Sequence, residues 1–157
     1  MTSKQYLLKL QTRFISVFIT AILVGALCYF VLQPANVMAN GQSLYFMMGF
    51  AATVFCLLLF MLLNKQKNQE AAELPKLSDK LIAFQNNYLT SLSLLLGPCI
   101  VNFFLYGVGG PKFNYYLGLF FISLLITRIP RINLISNSLE LKEKDIKSLN
   151  DENFKII

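Results

Sequence analysis

The sequence predicts an all-α integral membrane protein: a four-helix bundle of two helical hairpins with short exterior turns and both termini inside. Two observations carry this expectation. The first is where charge is missing, since no Lys, Arg, Asp or Glu occurs in residues 14–64, 81–111 or 113–127. The second is where charge collects. Of the 14 Lys and Arg residues, only Lys112 falls outside the flanks 1–13, 65–80 and 128–157. A hydrocarbon core about 30 Å thick takes roughly 20 apolar residues per helix, so the first run holds two crossings and the others one each. Basic flanks resist translocation, which puts residues 1–13, 65–80 and 128–157 in the cytoplasm. A mean hydropathy of +0.55 and a charged fraction of only 14% agree, because soluble domains carry about a quarter charged residues. The net charge of +6 is then a topological signal and gives no reason to expect nucleic acid.

The predicted spans are about 14–33, 43–64, 84–107 and 113–130, within a transmembrane domain of residues 1–132. Ahead of the first span, Tyr6, Leu7, Leu8 and Leu10 among Lys4 and Lys9 make an amphipathic lead-in. The first span is too long for the apolar core of a cleaved signal and ends at Gln33-Pro34, a poor cleavage site, so it is expected to be retained. The connection that follows holds Asn40-Gly41, a turn dipeptide, and Ser43 is the expected N-cap of the second span. The polar stretch 65–73 should extend that helix beyond the bilayer until Pro75 stops it. Ser78 and Asp79 then begin a long third helix with Gly97-Pro98 in its middle. A glycine-rich turn, 107–112, leads to a fourth span of about 15 uncharged residues. That length covers roughly 22 Å, so Lys112 and Arg128 must snorkel to reach water. Residues 133–157 form a polar cytoplasmic tail in which Ile135, Leu139, Ile146 and Leu149 share one face of a helix.

Few residues offer chemistry. Histidine is absent, which removes the commonest general base and metal ligand. No ionisable carboxylate, amine or guanidinium lies inside a span, where proton relays and ion paths place theirs. Cys28, Cys56 and Cys99 form no Cys-x-x-Cys pair and behave as small apolar residues. No catalytic, cofactor-binding or metal-binding residues are therefore assigned. Tyr29, Tyr45, Tyr106, Tyr115 and Tyr116 form an exterior aromatic belt. Small residues four apart, Ala21 with Gly25, Gly49 with Thr53 and Ser93 with Gly97, mark faces where helices approach closely. Pro98 and Asn102 join them as packing candidates, and Arg128 and Arg131 are candidates for anionic lipid headgroups.

These residues lead to the expectation of a non-enzymatic, multi-pass protein of the cytoplasmic (inner) membrane of a bacterium. It would act as an accessory, scaffold or assembly subunit through helix packing and its tail. Its partners are the lipid bilayer and either another membrane protein or further copies of itself. The alternative is a homo-oligomeric carrier or channel for a neutral or apolar solute.

Overall fold

In the computed structural model, residues 1–32, 39–151 and 154–155 are described, with the backbone alone for 39–42. All secondary structure among them is helical: α1 (Ser3–Phe30), α2 (Ala39–Ala72), α3 (Leu77–Gly107), α4 (Lys112–Ile126), α5 (Ile132–Leu139) and α6 (Glu143–Asn150). Three of these, α1, α2 and α3, are long and apolar enough to cross a membrane, and α4 is a shorter apolar helix of 15 residues.

The lead-in and the first span are one helix. Thr2 caps it with a capping box: its Oγ1 accepts from Gln5 N at 3.4 Å, and Thr2 N donates to Gln5 Oε1 at 3.0 Å. Two local expectations are corrected at the start of α2. Asn40-Gly41 is not a turn, and Ser43 is not an N-cap, because α2 already runs from Ala39. A helical Gly41 costs only about 1 kcal/mol, which a helix of 34 residues absorbs. The rest of the first connection, 33–38, lies outside the described residues. The polar extension of α2 runs to Ala72 as expected. Lys80 Nζ donates to Ala72 O, one of the last four carbonyls of the helix, which lack intrahelical donors, and Asn87 Nδ2 adds a bond to Lys67 O at 2.8 Å. The start of α3 also differs slightly: its N-cap is Lys76, and Ser78 lies inside the first turn, where its hydroxyl donates to Asp79.

α3 is the hub. It packs against α1, α2 and α4, while α1 and α2 each also meet α4 and hardly touch one another. The α3–α4 pair is thus flanked by α1 and α2. The sequence of α3 fits this position, since Leu81, Phe84, Tyr88, Leu92, Leu95, Cys99 and Phe103 recur every three or four residues and are all buried, the period of a single helix face. In its most apolar stretch α3 is 50% buried, against 11% for α2. The helix runs unbroken through Pro98 to Gly107. It ends in a turn where Gly109 has φ 101° and Gly110 N donates to Leu105 O at 2.8 Å, a left-handed closure that side chains bearing a Cβ rarely adopt.

The stretch 133–157 is not one helix with one apolar face. Glu140, at φ 48° and ψ 47°, ends α5 in the left-handed region, and α6 starts afresh at Glu143. The reversal lets Ile135, Leu139 and Leu149 all reach one core, together with Tyr6, Leu10, Leu81 and Phe84. A straight helix through the charged run 140–145 would carry Leu149 away from that core. The two ends of the chain meet here. Thr2 and Lys155 form an isolated antiparallel bridge, Ser3 N donates to Phe154 O at 3.0 Å, and the fully buried Ser3 hydroxyl lies 3.4 Å from Ser148 O.

Candidate functional site

Two buried asparagines form the most unusual polar feature of the apolar interior. Asn102 of α3 and Asn114 of α4 are both 0% exposed. Asn102 Nδ2 donates to Thr53 Oγ1 of α2 at 3.1 Å and back to Pro98 O at 2.9 Å, and Asn114 Nδ2 donates to Tyr45 O of α2 at 3.0 Å. These donations fix which way each amide points. Among the described residues both oxygens, Asn102 Oδ1 and Asn114 Oδ1, are left without a hydrogen-bond partner, and both face the backbone of Gly49. A Cβ built on Gly49 would lie 2.6 Å from the first and 2.8 Å from the second. The oxygens therefore occupy the space that a side chain at residue 49 would enter, which only glycine leaves open. Interhelical hydrogen bonds in membranes average only about 0.6 kcal/mol, so the node gains strength by combining several weak terms. It ties α2 to both members of the α3–α4 pair. Amide oxygens and a threonine hydroxyl provide no base or activated nucleophile, so its chemistry is that of a clamp.

A second node ties on α1. The ring of Phe103, 0% exposed, sits between two glycines. A Cβ on Gly25 of α1 would lie 2.9 Å from the ring, and one on Gly118 of α4 would lie 2.5 Å from it. Cys99 Sγ is 3.5 Å from Gly118 O. In lipid the helices gain little from the hydrophobic effect, so this close van der Waals contact is what holds them together.

The residues singled out in the sequence do not share one site. Ala21 is fully buried, Gly25 joins the Phe103 node, and Gly49, Thr53, Pro98 and Asn102 meet in the asparagine node. Ser93 and Gly97 do not join either node. Both are exposed, and nothing lies within 4 Å of a Cβ on Gly97. The two arginines also separate. Arg128 is half-buried with its guanidinium carbon 4.6 Å from the Phe60 ring centroid, while Arg131 is exposed. A further guanidinium nitrogen, Arg13 Nη1 on α1, is buried without a hydrogen-bond partner among the described residues. Asn114 was expected, as a polar residue at the start of a span, to hydrogen-bond across helices, and it does so with α2; Gly118 was not singled out. Their spacing of four on α4, a polar residue followed by a small one, is the signal that could have found the pair. The tyrosine belt is also partly internal: Tyr115 has its ring centroid 5.3 Å from that of Tyr29 and 5.1 Å from that of Tyr106, whereas Tyr116 is exposed.

Compared with known proteins, the chain matches no family's sequence profile, no curated protein and no solved structure.

Proposed function

We propose that the chain is a four-pass protein of a bacterial cytoplasmic membrane, with both termini in the cytoplasm, that catalyses no reaction and serves as an accessory or scaffold subunit. The observation that carries this reading is the closed interior. Where a transport path or an active site would need polar or titratable surface, Phe103, Phe121, Leu92, Leu95 and Leu125 fill the space between α1, α3 and α4. The two asparagines there are committed to α2. The outward face of α2 is no more polar, with Met47, Phe50, Phe55, Leu58, Met61 and Leu62 all exposed, which suits lipid or another helix better than a hydrated pore. On α3, Ser93 and Gly97 leave a shallow outward site where another helix could come close.

Support for the topology comes from charge and from the paired ends. Basic residues collect at the end of the molecule that holds the Thr2–Lys155 bridge, and neighbouring ends suit an even number of crossings. As a fourth crossing, α4 would need local thinning or snorkelling at its ends, because its 15 residues span only about 22 Å. The test of function is gentle detergent extraction, followed by native mass measurement and identification of what co-purifies. A stoichiometric membrane-protein partner is the expected result. Recovery of this chain alone, or only as copies of itself, would sink the accessory reading.

A further inference from the structure

Arg128 occupies a setting unlike that of any other basic residue in the chain. It follows directly on the C-cap of α4, and its backbone is held twice: its N–H donates to Leu125 O at 2.9 Å, and its carbonyl accepts from Tyr88 OH at 2.7 Å. One side of the guanidinium lies on the Phe60 ring. The side chain then lines a narrow chamber with Asn64, Asn68, Tyr88, Ser91 and Ser138. No acidic side chain lines this chamber, and Arg128 makes no ion pair within the described residues.

The hydrogen bonds around the chamber leave several donors unused, with Asn68 Oδ1 the one amide oxygen left over among the described residues. Asn64 Oδ1 is engaged by Ser91 Oγ at 3.1 Å and by Asn68 Nδ2 at 3.4 Å. That orients the amide so that Asn64 Nδ2 remains to donate. Neither Asn64 Nδ2, the Ser138 hydroxyl nor the Arg128 guanidinium has a hydrogen-bond acceptor among the described residues. Donor groups from α2, α5 and the end of α4 thus meet around one small, half-buried space with no protein acceptor opposite them among the described residues. Unmet donors beside a positive charge favour an anion.

The size of the space narrows the anion. The chamber is about 10 Å³, room for one atom the size of a water oxygen. Asn64, Asn68 and Ser138 also line an outer cleft of about 370 Å³, together with Lys65 and Glu140. Lys65 and Glu140 offset each other, so Arg128 sets the sign of the charge. A tetrahedral anion suits the pair of spaces, with one oxygen reaching into the chamber and its bulk in the cleft. A planar fork such as guanidinium recognises phosphate better than a lysine does.

We propose that Arg128, Asn64, Asn68 and Ser138 form a binding site for a phosphate group, carried either by an anionic lipid headgroup or by free phosphate. The site needs only this cleft, and it stands whether or not the accessory role holds. It separates Arg128 from Arg131, which has the same charge at the same end of the molecule but is exposed and does not line this chamber.

The experiment uses the full chain in micelles of an uncharged detergent. Phosphatidylglycerol and inorganic phosphate are the probes, with retention read by native mass spectrometry and ³¹P line broadening. Retained phosphatidylglycerol that millimolar inorganic phosphate does not displace assigns the site to a lipid headgroup, and displacement assigns it to free phosphate. In either case Arg128→Gln should weaken binding about tenfold or more, as expected for loss of a charge-assisted fork, while Arg131→Gln should leave it unchanged. Ser138→Ala removes a hydroxyl that the fold does not use, so it keeps the test open if Arg128→Gln fails to fold; it should weaken binding about threefold. Equal losses in Arg128→Gln and Arg131→Gln would show diffuse surface charge and overturn the site. So would wild-type protein that binds neither probe, or Ser138→Ala protein that binds as tightly as wild type.

Discussion

Single positions in this protein differ sharply in what they tolerate, and its glycines show it best. At Gly49 an added methyl would meet Asn102 Oδ1 and Asn114 Oδ1 together, and both amides are held in place by other hydrogen bonds. Gly49→Ala should therefore destabilise the fold by about 1–3 kcal/mol, the usual cost of overpacking. At Gly97 an added methyl meets nothing. Gly97→Ala should cost nothing and could add up to about 1 kcal/mol through helix propensity. Unfolding in mixed micelles with rising dodecyl sulfate measures both, and equal effects at the two sites would contradict the node. Glu140 carries the opposite kind of strain, since it holds φ 48° without being glycine. Glu140→Gly should stabilise the α5–α6 turn by about 1 kcal/mol, seen as a higher melting temperature.

Among the helices, what was legible in the sequence was what local chemistry decides. The charge-free runs located α3 and α4, and the fading of apolar residues after Asn64 together with Pro75 foretold how far α2 extends. The Thr2-x-x-Gln5 capping box was equally local and could have been read as the start of α1. The rest depended on partners far along the chain. Nothing near Asn102 in the sequence points to Thr53, and nothing near Ile135 and Leu149 shows that a left-handed Glu140 will turn both toward Leu81. The Arg128 chamber takes its walls from α2, α3 and α5, so its residue type was visible and its surroundings were not. The join between α1 and α3 offers a direct check on such distant pairing. Tyr6 OH donates to Leu81 O at 2.7 Å, and Tyr6 is 1% exposed. Tyr6→Phe should lose about 1 kcal/mol, and hydrogen exchange should quicken in the first turns of α1 and α3 while the middle of α3 stays protected. Uniform loss of protection along α3 would show that this bond does not act locally.

For the molecule as a whole, the arrangement of α1 and α2 around the α3–α4 pair explains how a small chain can be well packed in lipid with few polar contacts. Each flanking helix is held by a node in the apolar interior, α2 by the asparagines and α1 by the glycines around Phe103, and by further bonds to α3 near the charged end, such as Asn87 to Lys67 O and Tyr6 to Leu81 O. The proposed topology makes a sharp prediction for accessibility. With the native cysteines replaced by serine, Lys112→Cys should react with a membrane-impermeant maleimide added outside intact cells, and Ser78→Cys should react only after the cells are opened. The reverse pattern would invert the topology, and reaction of both from outside would break it.

The bridge between Thr2 and Lys155 also bears on how the chain could be reconnected. Because the two ends already lie side by side, a short linker could join them into a closed ring without moving a helix. The ring could then be cut at the tight turn between α2 and α3, at the same end of the molecule, giving a circular permutant that begins with α3 and ends with α2. In such a chain the hub helix would come first and the most lipid-exposed helix last, so the order of synthesis would follow the order of burial.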